Sequence, residues 1–377
     1  MVRPEQFVWA RKRAGLGLDP LKKRFPRLEA WESGAAAPSL KQLEDFAKAV
    51  HVPVGYLFLP GPPEESIPIP DFRRMTGEAA AHPSPDLLDT IYLCQQRQDW
   101  YREFSRASGQ RPLSFIGSAR IDQDVSEVAA AIRARLGLDL QERRGLPTWT
   151  EALRRFLNNA DSLGVLVMVS GVVGSNNYRR LDPREFRGFA ISDELAPLVF
   201  INGADTKAAQ MFTLAHELAH LWLGQSALSD AALEEQPSTE LERWCDRVAA
   251  ELLVPLDAFL LDYDTRAPVQ EESARLAKTY KVSSLVVLRR MRDAGGLNWE
   301  EFRTAYREEL DRLTVFPKGS GGDFYRTLDV RVSKSFARAV IASTLEGRSS
   351  FTEAFRMLGL RKMSTFQELG RTLGLVV

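Results

Sequence analysis

The sequence predicts an α+β protein: a small antiparallel or mixed sheet packed on one buried helix, flanked by mainly helical segments. Three observations carry that expectation. Short runs rich in Val, Ile, Leu and Phe (165–169, 186–191 and 198–201), bounded by turn residues, read as strands. A helix over 212–222 follows them closely and is apolar nearly all round, which marks it as buried. Before and after this block, apolar residues recur at helical spacing.

The helix at 212–222 carries the chemistry, because it contains His216-Glu217-Leu218-Ala219-His220. Residues four apart share a helix face, with Cβ atoms about 5–6 Å apart. His216 and His220 can therefore hold one small cation. Glu217 then sits beside the open coordination position, where a general base belongs. Burying two histidines and a glutamate is costly unless something satisfies them. The plainer alternative is a buried His pair satisfied by its neighbours. Of the chain's four histidines two are here, and His51 and His82 read as surface or loop residues.

A metal site needs a third protein ligand, and the next helix offers one. The stretch 238–255 opens with Ser238 and Thr239 as caps and stops at Pro255. At about 100° per residue, Glu242, Cys245, Asp246, Ala249, Leu252 and Leu253 share one face. Glu251 lies half a turn away and is expected to point outward. Glu242 is thus the ligand candidate, with Cys245 as a rival because thiolates bind zinc. Asp246, one turn on, is spaced to hydrogen-bond the far nitrogen of a liganding histidine.

HExxH followed by ExxxD resembles the gluzincin arrangement of zincin-like metallopeptidases. The wider pattern, 212–220 with Glu242, Cys245, Asp246, Ala249, Ala250, Leu252, Leu253 and Pro255, looks like the ImmA/IrrE family of metallo-endopeptidases. Arg187-Gly188-Phe189-Ala190 and the run 197–202 fit the same family. The resemblance implies Zn²⁺ held by His216, His220 and Glu242, with Glu217 as catalytic base. It implies a narrow protein substrate, a helix-turn-helix repressor whose cleavage releases its genes in mobile-element transfer or damage response. Zincins add the substrate peptide as an antiparallel strand beside the site helix. Leu198, Phe200 and Asn202 fit that role unless theirs is an internal strand. No further histidine remains in the core, so Tyr178 and Arg187 are the stand-ins for an oxyanion-stabilising group.

At 377 residues and 44% apolar composition, two to four domains with real cores are expected. Neither a membrane-spanning apolar run nor a signal pattern occurs, and Cys94 and Cys245 make no disulfide framework, so a cytoplasmic protein without a membrane partner is expected. The zero net charge conceals basic ends: residues 1–60 carry ten Lys/Arg against six Asp/Glu, and residues 318–377 ten against five. That distribution permits nucleic-acid contact without demanding it.

In chain order, residues 1–60 read as small helices similar to the phage-repressor-like (XRE-type) helix-turn-helix domain. Only seventeen positions separate Gly15 from Glu32, and Pro26 falls where the recognition helix belongs. Docking a protein is therefore favoured there over reading DNA. Residues 61–147 form a proline-rich linker and helices over 86–107 and 124–138. The peptidase-like core spans 148–262, with a helix over 149–162. Residues 263–317 include a second helix-turn-helix-like unit at 270–294, which IrrE-like proteins carry after the core. It serves either as a structural cap or for DNA contact. A glycine hinge at 318–322 leads into a mainly helical segment, 318–377, of unassigned role. The competing reading for the whole chain is a non-proteolytic regulator, antitoxin-like or repressor-like, that keeps the metal fold.

Overall fold

Three mostly apolar runs, with one short strand after them, make the sheet that positions the site. The computed structural model describes residues 2–72, 83–229, 239–315 and 331–376. The expected hinge at 318–322 and His82 lie outside these residues. The chain divides into two units, Met1–Pro68 with Met75–Tyr92, and Ile69–Arg74 with Leu93–Val377.

The first unit holds helices α1 (Pro4–Arg13), α2 (Leu18–Lys22), α3 (Leu28–Glu32) and α4 (Leu40–Ala49). Ser39 and Gln42 close a capping box on α4. Phe7, Phe25, Trp31 and Phe46 pack edge to face or tilted at the centre. Between Gly15 and Glu32 only the two five-residue helices form, with Pro26 in the gap between them. Each is about 7–8 Å long at 1.5 Å per residue.

The second unit is built on four strands, β1 (Leu166–Ser170), β2 (Gly188–Ile191), β3 (Leu198–Asn202) and β4 (Ala227–Ser229), in the order β1-β3-β2-β4. β1 pairs with β3 in parallel, and β2 is antiparallel to both β3 and β4. Helix α5 (Pro85–Ala107) carries the boundary between the units, and α6 (Val125–Leu136), α7 (Leu140–Arg144) and α8 (Trp149–Ser162) precede the sheet. Their ends match the sequence expectation because Asp124 and Thr148 cap α6 and α8 and Gly137 closes α6 in the left-handed region.

Helix α9 (Lys207–Trp222), capped by Thr206, lies against β2 and β3, and α10 (Glu240–Leu253), capped by Thr239, packs on α9. Beyond it come α11 (Leu256–Asp262), α12 (Val269–Tyr280), α13 (Ser284–Asp293) and α14 (Trp299–Val315), then α15 (Lys334–Leu345), α16 (Phe351–Leu358) and α17 (Met363–Thr372). The last group is tied to the rest of its unit: Ser333 and Ser335 donate to the buried Asp161 of α8, and Arg97 of α5 donates to the Met357 carbonyl.

Two expectations are corrected here. β3 has a strand on each side, so it offers no free edge, and Leu198, Phe200 and Asn202 belong to the interior. β4 was not anticipated at all. The second helix-turn-helix-like unit at 270–294 forms α12 and α13, but every α13 residue from Ser284 to Met291 is buried. A helix wrapped on all faces cannot enter a DNA groove, so α13 packs within its unit and does not stand free as a reading helix.

Candidate metal centre

Helix geometry brings the paired histidines together as the spacing requires. The Nε2 atoms of His216 and His220 lie 3.1 Å apart. Glu242, reaching from α10, sets Oε2 3.1 Å from His216 Nε2 and Oε1 3.0 Å from His220 Nε2. His216 and His220 are fully buried and Glu242 nearly so. Among the described residues this is the one cluster of His, Cys, Asp or Glu with converging ligand atoms. Cys245 is not part of it: its thiol is buried, and burial with the nearby Glu242 and Asp246 charges pushes it far above the thiolate range.

The residues fit a metal on three counts. Two imidazole nitrogens and a carboxylate are a zinc donor set, and separations of 3.0–3.1 Å approach the roughly 3.3 Å expected between tetrahedral ligands with bonds of about 2.0–2.1 Å. Glu242 Oε1, despite its closeness to His220, lacks hydrogen-bond geometry, as atoms aimed at a common centre do. Both Glu217 oxygens and His220 Nδ1 are buried without a hydrogen-bond partner, a cost that folded proteins rarely leave uncompensated.

Asp246 Oδ1 accepts from His216 Nδ1 at 2.9 Å, which fixes the tautomer and turns the Nε2 lone pair toward the cluster. Burial alone would lower the His216 pKa, but the Glu242 and Asp246 carboxylates hold it well above its ordinary value. For Glu242, burial works upward and the two histidines overcome it, leaving the carboxyl far below the usual range. For Glu217, burial outweighs the lowering effect of the His216 charge and pushes the carboxyl up to about 8.

Two participants escaped the sequence reading. Arg289 of α13 donates Nη1 to Asp246 Oδ2 at 3.1 Å and stacks its guanidinium over Phe212, with 5.7 Å to the ring centroid. Gly188 of β2 lies against Glu217. A Cβ there would stand 2.5 Å from Thr213 Cγ2, 2.9 Å from the Phe200 carbonyl oxygen and 3.2 Å from Glu217 Oε1, so a larger residue clashes with the first two and crowds the carboxylate. The signal was present in Arg187-Gly188-Phe189-Ala190, but its physical reason needs the sheet.

The remaining expected residues are used elsewhere. Asn202 donates Nδ2 to the Phe186 carbonyl and accepts from the Ala204 N–H. Arg187 pairs with Asp205 at 3.7 Å, and Tyr178 is 98% exposed and is not brought into the cluster. Glu251 is not outward: it is buried, accepts from the Leu256 N–H at 3.2 Å and pairs with Arg290.

A mixed sheet backing a helix with two histidines and a carboxylate from the next helix defines a metallopeptidase-like centre. Residues 160–292 match the family model described as the IrrE N-terminal-like domain, a peptidase family, which supports a metallopeptidase of the ImmA/IrrE kind. Residues 332–372 match the model of a domain of unknown function. No curated protein matches the chain. Among the described residues no helix is long and apolar enough to cross a membrane.

Proposed function

We propose that the chain is a zinc-dependent, site-specific endopeptidase that cleaves a transcriptional repressor in the cytoplasm and so releases the genes it holds down. The observation carrying this reading is the convergence of His216, His220 and Glu242 with an unpartnered, buried Glu217 on the same helix. Bound Zn²⁺ supplies Lewis acidity, polarising a scissile carbonyl and acidifying a water.

The chain's own residues do the rest. Glu217, held as the carboxylate by the bound dication, receives the proton of the attacking water and returns it to the leaving amine. Asp246 holds His216 in its liganding tautomer. The outer edge of β4 takes the substrate as an added strand, because Ser229 pairs with Gly188, which lies against Glu217.

The repressor as substrate, and a role in mobile-element or damage responses, rest on the family likeness. The rival reading, a regulator that retains the metal fold without cleaving anything, gives Glu217 no task. One experiment separates the two. The full chain is co-expressed with the products of neighbouring genes, alongside Glu217→Gln. A protein cut by the native chain and left intact by a folded, zinc-loaded Glu217→Gln, with a rate loss of about 10²–10⁴, is the expected result. The same biological output from both would favour the regulator.

A further inference from the structure

The outer edge of β4 is taken by the chain itself. Leu228 donates its N–H to the Pro70 carbonyl at 2.9 Å, and Phe72 donates its N–H to the Leu228 carbonyl at 3.0 Å. Asp71 thereby bridges Leu228 in the parallel sense. The same short stretch sets the Phe72 ring over His220, centroids 6.2 Å apart and planes 12° from parallel. One backbone bridge thus joins the sheet edge beside Glu217 to a metal-site imidazole.

We propose that residues 69–72 are a self-inhibitory strand, occupying the edge on which a peptide would add and holding an aromatic ring against His220. The proposal rests on the peptidase reading for what is excluded, though not for the masking itself. An edge strand recruits a partner through its unpaired N–H and C=O groups, and at Leu228 both are already bonded. The occupant runs parallel to β4, opposite to the antiparallel sense of a zincin substrate. It therefore fills the edge without offering its own peptide bond in the productive direction. Pro70 has no N–H and cannot extend the ladder. Two backbone hydrogen bonds and the Phe72 ring contact tie the strand to β4 and His220, Ile69 is buried, and each backbone bond is individually modest. A peptide forming a longer ladder on β4 displaces it. Until then the apparent affinity of every peptide is lowered by the fraction of molecules whose edge is open, which excludes weak, general substrates.

The test uses the full-length, zinc-loaded protein and two variants. Phe72→Pro removes the N–H donor and the ring together, and Phe72→Ala removes the ring alone. Three rates are followed: amide exchange at Leu228, zinc loss to excess chelator, and cleavage of an unstructured protein such as denatured casein. Phe72→Pro should speed the first two on the order of tenfold, Phe72→Ala should speed zinc loss by less, and cleavage should rise with them. Exchange and zinc loss unchanged from the native protein would overturn the proposal even if casein were cut. Faster exchange and zinc loss with no cleavage would support the masking and count against the peptidase reading. If Phe72→Pro does not fold, Phe72→Ala decides alone, and unchanged zinc loss overturns the proposal.

Discussion

Arg289 Nη1 lies 3.1 Å from Asp246 Oδ2, the carboxylate oxygen that His216 does not use. A chain of polar contacts therefore runs from α13 through α10 to α9 and ends on a metal-site nitrogen. All three side chains are buried. Burial by itself would raise the Asp246 carboxyl, yet the Arg289 charge and the His216 contact hold it below its ordinary value. The region after the core thus supports the centre directly.

Arg289→Gln should fold, since α13 keeps its apolar contacts, but bind zinc about 10–100-fold more weakly. Arg289→Lys should recover part of that loss by restoring the charge. Titration against a chelator of known affinity measures both. Native affinity in Arg289→Gln would remove Arg289 from the centre.

Glu242→Ala and Glu251→Ala are a matched pair on one helix. The first should lose zinc, since it deletes one of three converging ligands. The second should keep zinc and lose stability, because Arg290 stays buried without one of its carboxylate partners, which costs about 3–5 kcal/mol when a buried pair is broken. Metal analysis with thermal unfolding distinguishes them, and equal zinc content would sink the ligand assignment.

Glu217 gives the metal-stripped protein a pH signature. Its carboxyl titrates near 4.5 when unfolded and is pushed up to about 8 by burial when folded. The folded state thus holds the proton more tightly. The stability this confers is fully present below pH 4.5 and is lost as pH rises toward 8. Compared with Glu217→Gln, the stripped native protein should lose on the order of 1 kcal/mol per pH unit across that window. Denaturant unfolding of both, from pH 5 to 7.5, checks it, and parallel curves would contradict the buried, protonated Glu217. Zinc should flatten the difference, since a dication favours the carboxylate.

What the sequence revealed of this centre follows from the range of the forces involved. The His216 and His220 spacing and the Glu242 face are local to one helix each, so helix periodicity alone locates them. Strand order is not local: nothing in residues 198–202 says that β1 and β2 will flank them, and so their interior position was invisible. β4 is three residues long, too short for any period. Arg289 reaches Asp246 across 43 residues, through the packing of two helices. The outward placement of Glu251 was a half-truth of the same kind. It does face away from His216, but α13 covers that side and supplies Arg290.

The last prediction concerns the amino-terminal unit, where the helix-turn-helix likeness and the structure part company. α2 and α3 are five residues each, and their apolar side chains Leu21, Leu28 and Trp31 are spent on the core. What remains basic is Lys22, which pairs with Glu29, and the exposed Lys23, Arg24 and Arg27. Such groups touch phosphates, and phosphate contacts position a protein without reading sequence. The full chain should therefore bind DNA weakly and without sequence preference, with an affinity that falls steeply with salt. Reversing Lys23, Arg24 and Arg27 to Glu should abolish that binding, as roughly three lost phosphate contacts would. If docking a protein is this unit's task, the same variant should still cut its substrate, or fail to do so through a lost protein contact at unchanged zinc content. Titration against genomic fragments at physiological salt decides the matter. A sequence-specific footprint at about 10⁻⁸ M or tighter would make the protein a DNA-tethered peptidase instead.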